Sequence, residues 1–307
     1  MRWALLAAAG TGVQVGATIV ASRWVVADVP PLTLALLRYA IGVTSLLPFA
    51  WAEFKNFTPP APANQDGAAS FSRAKDLTMM LLLGVGQFAV LIALLNLGLQ
   101  QVPAARAALL FALFPLLTLV LSVLQGHDRP TPALVWGVVL SIVGVALSLG
   151  PRLLGSQGGS WWGHAAILCS AGVGAVCSVA YRPYLRRYPT LPVSVLAMGA
   201  SVVFLAVMAL AEQWPNRVMN LSMAHWRVVA FIGLSSGVAY AAWLYALKHE
   251  SPTRVTVFLA LNPPTAAALA WWWLDEPVDH WTLAAMVCIA ASLWLATRVA
   301  PHPARLP

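Results

Sequence analysis

Four polar side chains interrupt the first apolar stretch of the chain. Thr11, Gln14, Thr18 and Ser22 fall at i, i+3, i+7 and i+11, a spacing that puts all four on one face of a helix. A later apolar stretch carries Ser170, Gly174, Cys177 and Tyr181 at i, i+4, i+7 and i+11. Gln87 stands near the middle of a third stretch. Ser236, Tyr240 and Trp243 fall at i, i+4 and i+7 of a fourth, and Asn262 directly precedes Pro263 and Pro264. Hydroxyls and amides orient a neutral or zwitterionic solute, and aromatic walls supply apolar area. None of these groups is a strong acid, base or nucleophile, so the chemistry on offer is holding a molecule rather than transforming it. Serine, threonine and small residues also suit the places where membrane helices touch, so a cavity face and a packing face are both open to them.

Charge is the sharper signal, because it is expensive and rare inside a bilayer. All ten acidic residues fall in loops or at the ends of apolar stretches, and the six histidines are terminal too. Arg38, about a third of the way into an apolar stretch, is the exception. Two roles fit it: attracting a substrate carboxylate, or a structural role in which it reaches back to the surface or braces a carbonyl. H-E-x-x-H and G-x-S-x-G patterns are missing, and no aspartates pair inside an apolar stretch. Cys169, Cys177 and Cys288 all lie in apolar segments without zinc spacing. An enzyme is therefore not expected, nor a metal or cofactor. A channel would show a filter-like segment or a ring of charge, and neither is visible.

Composition dictates the elements that must position these groups. The 307 residues are 60% hydrophobic and 9% charged, with a mean hydropathy of +0.77, far from the roughly 25% charge of a soluble domain. A helix needs about 20 apolar residues to cross a bilayer, and ten segments qualify: 3–26, 31–51, 77–98, 102–123, 132–150, 160–181, 191–211, 226–247, 252–273 and 280–298. Runs such as ALVWGVVLSIVGVALSLG do not alternate as barrel strands do. The expected fold is an all-α membrane protein of ten transmembrane helices. The first segment lacks a cleavage site and reads as a retained span. The net charge of +8 is scattered between spans, which points to topology and the lipid bilayer rather than to nucleic acid. A cytoplasmic N-terminus puts 12 of the 18 basic residues on the inner side, so both termini are expected to be cytoplasmic.

The proline-bearing segments repeat. Moving PTRVTVFLALNPPTAAA back from Pro252 to Pro103 aligns it with PAARAALLFALFPLLTL, so that Leu110 answers Leu259, Pro115 answers Pro264 and Gly84 answers Gly233. A slightly larger shift pairs Trp3 with Trp162, Arg23 with Arg182, and Thr11 with Ser170. The chain therefore reads as two five-helix units, residues 1–150 and 151–307, forming one membrane domain. Five is odd, so the second unit enters from the opposite side. Such inverted repeats hold a solute near the midplane where the copies meet. Pro115 and Pro264 are expected to bend their helices at matching depths.

At these residues the chain resembles the drug/metabolite transporter superfamily, in its ten-helix EamA-type branch. The similarity is carried by QVPAARAALLFALFPLLTLVLSVLQG with the LVWGVVLSIVGVALSLG that follows, and by SPTRVTVFLALNPPTAAALAWWWLDEP with the last apolar segment. Arg38 matches an arginine that the family tends to carry in its second helix, and Glu276 a glutamate that tends to close the proline-bearing span. His127 stands where the first half usually has that glutamate. The resemblance implies export of small metabolites, in a branch that includes aromatic amino-acid exporters of the YddG type. The expectation is a bacterial inner-membrane exporter of aromatic and other apolar amino acids, alternating access around a midplane cavity and facilitated rather than tightly ion-coupled. Export of other small solutes, such as drugs or nucleobases, is the alternative. The residues expected at the substrate are Thr11, Gln14, Thr18, Arg38, Gln87, Tyr181, Ser236, Tyr240, Trp243 and Asn262.

Overall fold

A computed structural model describes residues 2–55, 68–126, 132–153, 161–249 and 258–298. His127, Pro252, Arg254, Arg305 and most of the Pro- and Ala-rich stretch from 56 to 72 lie outside the described residues. Every regular element among the described residues is helical, as a chain that must satisfy its own backbone in lipid requires.

The first long helices are α1 (Arg2–Val25) and α2 (Pro31–Lys55). Pro31 opens α2, where a missing N–H costs nothing because the first turn has no acceptor for it. A π turn, Val85–Val90, divides the third apolar stretch into α3 (Ala68–Gly84) and α4 (Leu91–Leu99). The fourth stretch is also broken. Helix α5 (Ala104–Phe111) stops at Ala112, and α6 (Phe114–Leu124) restarts with Pro115 in its first turn. Helices α7 (Pro132–Leu153), α8 (Trp162–Arg187) and α9 (Thr190–Met208) follow. A short 3-10 turn leads to α10 (Trp214–Met219) and then to α11 (Met223–His249). Another 3-10 turn, Phe258–Leu261, runs into α12 (Asn262–Leu274), which carries Pro263 and Pro264 in its first turn, and α13 (His280–Arg298) closes the described chain. The helix starts at Phe114 and Asn262 stand 148 residues apart, one short of the offset between Pro115 and Pro264, and each proline lies in the first turn of its helix rather than in the middle of one.

Among the described residues six helical stretches are long and apolar enough to cross a bilayer, and Val135–Ser148 and His280–Ser292 are shorter apolar helices. The outside is apolar as lipid demands: Trp3, Phe49, Trp51, Trp136, Trp162, Val203 and Val287 are all exposed. Trp271, Trp272 and Trp273 are exposed as well, with Trp273 stacked on Trp24 at 6.0 Å. The core runs through α1, α2, α4, α5, α8, α9, α11 and α12.

Which helix ends share a side of the bundle follows from the contacts. The C-terminal ends of α1, α4, α9 and α12 gather with the N-terminal ends of α2, α5, α8, α11 and α13. Arg23 bonds the end of α4, Glu276 the start of α5 and Glu212 the start of α2. His225 meets Asp28, Asp279 meets Arg106, and Gly163 abuts Gly98 and Gln101. Contacts between the two halves also come in matched sets. Helix α1 packs on α11 and α12, and α8 packs on α4, α5 and α6; α2 packs on α11, and α9 on α3. Helices α2 with α9, α5 with α12, and α7 with α13 pair with their own counterparts. Close approach at two of these crossings needs glycine. A Cβ on Gly84 would lie 2.6 Å from the Ala197 Cβ, and one on Gly233 2.6 Å from the Ile41 Cβ.

Candidate functional site

The candidate site is built around the π turn, Val85–Val90. In a π turn one extra residue enters the helical ladder, and such turns recur at functional positions. Here it re-aims Gln87 and Phe88 beside the approach of α3 to α9. The Phe88 ring meets Tyr39 of α2 edge-on at 5.3 Å and Tyr240 of α11 edge-on at 5.7 Å. The Ser194 hydroxyl of α9 donates to the Tyr240 hydroxyl at 3.2 Å. Four elements, α2, the π turn, α9 and α11, thus converge on three rings in edge-to-face contact, a geometry aromatic quadrupoles favour.

Arg38 precedes Tyr39, and its guanidinium carbon lies 5.8 Å from the Tyr39 ring centroid. It is 9% exposed, so it does not reach back to the surface. Its Nε is buried without a hydrogen-bond partner, and no described residue makes an ion pair with it. The Oε1 of Gln87, the residue before Phe88 in the π turn, is likewise buried and lacks a donor among the described residues. Leaving a buried polar atom unpaired costs about 1–3 kcal/mol, and more when the group is charged, so Arg38 carries an unmet demand for an anion at the junction and the Gln87 oxygen one for a donor in the π turn.

The other expected residues divide. Asn262 begins α12 beside Gly16 of α1, is buried, and leaves its Oδ1 unpaired. The Gln14 amide donates to the Ser235 hydroxyl at 3.1 Å. Thr11 donates to Ala7 and Ala239 carbonyls, and Thr18 to the Gln14 and Val15 carbonyls of its own helix. Ser236 donates to Ile232 one turn back, and Tyr181 reaches across to the Met80 carbonyl at 2.6 Å. Each of these hydroxyls donates to its own or a neighbouring backbone and keeps its oxygen as an acceptor. Trp243 packs with Ala8, Ala246 and Phe258 instead of with the three rings. Tyr39 and Phe88, which belong to the aromatic cluster, carried no mark in the sequence beyond being aromatic. Gly84 and Gly86 around Val85 were the local hint of the π turn.

A polar belt closes one end of the bundle. Glu276 accepts from Arg23 Nε at 3.1 Å and from the Ala104 backbone N–H at 2.8 Å, while Arg23 Nη1 donates to the Leu99 carbonyl at 2.9 Å. One pair of side chains from the two halves thus caps the end of α4 and the start of α5, satisfying groups that helix termini leave bare. Arg106, which is buried, donates to Asp279 at 2.6 Å, and Asp279 accepts from the Thr282 backbone N–H at 2.8 Å, capping α13. Burial pushes the Asp279 carboxyl up, but its hydrogen bonds to Thr282 and the Arg106 guanidinium outweigh burial and hold it below the usual carboxylate range. A cleft of about 470 Å³ at the same end is lined by Asp28, Val29, Asn216, Arg217 and His225 among others. Neither Arg38 nor the aromatic cluster lines that cleft. Among the described residues no three His, Cys, Asp or Glu gather as metal ligands.

A model of the EamA-like transporter family matches residues 2–150 and again residues 159–298. The chain belongs to the EamA-like transporter family. EamA-like relatives span much of its length. A protein of Streptantibioticus cattleyicolor named a probable terminal-alkyne amino-acid exporter is 32% identical over 205 residues, 66% of this chain and 67% of that one. The uncharacterized inner membrane transporter YedA of Escherichia coli (strain K12) is 29% identical over 83% of this chain and 77% of its own length. YoaV, an uncharacterized transporter of Bacillus subtilis, is 21% identical over 92% of each. A solved crystal structure at 21% identity covers 95% of this EamA-like chain and 96% of its own, with a TM-score of 0.63, and shows the same fold. The protein is a membrane transporter, not an enzyme.

Proposed function

We propose that this transporter exports aromatic and other apolar amino acids across the bacterial inner membrane. It alternates access around the junction of α2, the π turn, α9 and α11. The observation that carries the reading is the buried, unpaired polarity beside the three rings. A guanidinium that no described acid pairs with suits a carboxylate, and the rings suit an apolar side chain. The relative named as a terminal-alkyne amino-acid exporter supports the same class.

Two inverted five-helix units, divided near residue 150, supply the motion. The directions of the paired helices support this arrangement, since α1 ends where α8 begins and α2 begins where α9 ends. Ten spans, both termini cytoplasmic, complete the topology. In the described conformation the rings are in contact, so a solute enters when α2 and α11 move relative to the π turn. Transport is facilitated. Every described acidic side chain sits near an end of the bundle, so no carboxylate is at hand in the junction to carry a proton or sodium ion. Uptake of a panel of labelled amino acids into proteoliposomes tests the reading. Saturable flux of phenylalanine and leucine, insensitive to an imposed proton gradient, is expected; flux of no amino acid would overturn it, and a large stimulation by the gradient would remove the facilitated mechanism.

A further inference from the structure

The charges around the aromatic junction are lopsided. Arg38 is buried, and no described acid pairs with it. Asp28 faces His225, Asp76 bonds the Tyr188 hydroxyl, Glu212 caps α2, Glu276 holds Arg23 and Asp279 holds Arg106. Of the remaining described acids, Asp275 ends α12 and Glu53 lies in the last turn of α2. A zwitterion in the junction would therefore find a full cation for its carboxylate and no described carboxylate for its ammonium. The opposite half does not restore the balance. The helix related to α2 carries Ala197, packed against Gly84, at the place that answers Arg38.

We propose that Arg38 is the receptor for the substrate carboxylate and that this contact outweighs recognition of the ammonium group, so that apolar monocarboxylates without an amino group are also carried. The proposal rests on the reading of this chain as an amino-acid carrier and says which half of the amino acid it reads. A planar guanidinium takes a carboxylate in two parallel hydrogen bonds, each stronger than a bond between neutral groups. The Tyr39, Phe88 and Tyr240 rings stand where the apolar remainder of such an acid would lie. With no described opposite charge to meet, the ammonium gains at most hydrogen bonds to neutral oxygens, a smaller gain that an acid lacking the amine forgoes at modest cost.

The test is competition against labelled phenylalanine counterflow in proteoliposomes by 3-phenylpropanoate, which lacks the amine, and 2-phenylethylamine, which lacks the carboxylate. Loss of the amine is expected to weaken competition by less than about tenfold, and loss of the carboxylate by about thirtyfold or more, the range set by hydrogen bonds to a charged group. Arg38→Gln is expected to erase the advantage of 3-phenylpropanoate over 2-phenylethylamine, and Arg38→Lys to keep part of it. The wild-type series needs no variant, so it decides the matter even if Arg38→Gln fails to fold. No phenylalanine counterflow at all would overturn the carrier reading and this inference with it. Phenylalanine counterflow with the amine competing as well as the acid would overturn this inference alone.

Discussion

Arg23 and Glu276, 253 residues apart in the chain, meet at 3.1 Å and join the end of α1 to the turn after α12. Both side chains are largely buried, at 28% and 17% exposure, so the pair is better shielded than a surface ion pair worth under about 1 kcal/mol. Because each partner also caps a helix end, the pair fastens the two halves together at one end of the bundle. Opening that end must break it.

A double-mutant cycle measures that fastening. Arg23→Gln and Glu276→Gln should each lower the denaturation midpoint in detergent. Their combination should cost less than the sum, with a coupling of about 1 kcal/mol. Additive costs would mean that the two side chains act independently.

Asp279 gives a pH signature. Its folded carboxyl titrates below its unfolded value of about 3.9, so its stabilising contribution is fully present above that value and is lost as pH falls through the folded value. Asp279→Asn should therefore be less stable than wild type by a constant margin from pH 7 to pH 5, about 1 kcal/mol, and the margin should narrow below about pH 4. A margin unchanged down to pH 3 would show that the carboxylate charge contributes nothing there.

Much of the helix layout was legible in the sequence because punctuation marks it. Pro31, Pro103, Gly126 and Pro132 stand at or beside helix ends, where a missing N–H or a permissive backbone costs least. The matched prolines were legible in the sequence as expected bends, and Pro115 and Pro264 instead lie in the first turns of α6 and α12. Arg38 and Gln87 stood out because polar groups are rare in apolar stretches. The aromatic partners did not, since Tyr39 and Phe88 look like ordinary apolar residues until packing between distant helices brings their rings together. Thr11 and Thr18 donate their hydroxyl hydrogens to backbone carbonyls, a local competition for the donor that spacing alone does not reveal. Glu276 and Asp279 read as a charged turn, and only the folded chain brings Arg23 and Arg106 to them.

The two glycine crossings should behave alike. Gly84→Ala and Gly233→Ala each force a Cβ to within 2.6 Å of a neighbouring Cβ, so each should destabilise the protein by about 1–3 kcal/mol. Gly84→Ala should in addition slow transport, because its helix leads into the π turn. Equal transport in both variants at equal stability would separate the turn from the site.

Side chains whose hydrogen bonds stay within their own helix should matter little to flux. Thr18→Ala should retain uptake within about twofold of wild type, a change of under 1 kcal/mol, while Gln87→Ala and Asn262→Ala should each cut it about tenfold or more, the worth of one well-placed hydrogen bond. Membrane insertion, read by protease protection, should be unchanged in all three. Wild-type flux in the Gln87 and Asn262 variants would remove both from the solute's path.

The central claim is that two halves of this chain alternately expose one binding site for an apolar amino acid. Trans-stimulation measures it most directly. Proteoliposomes are loaded with labelled leucine, and efflux is followed with and without unlabelled leucine outside. A carrier returns faster when loaded, so external leucine should accelerate efflux, and the acceleration should saturate. Efflux that ignores external leucine and rises without limit with the internal concentration would describe an open pore and contradict the account.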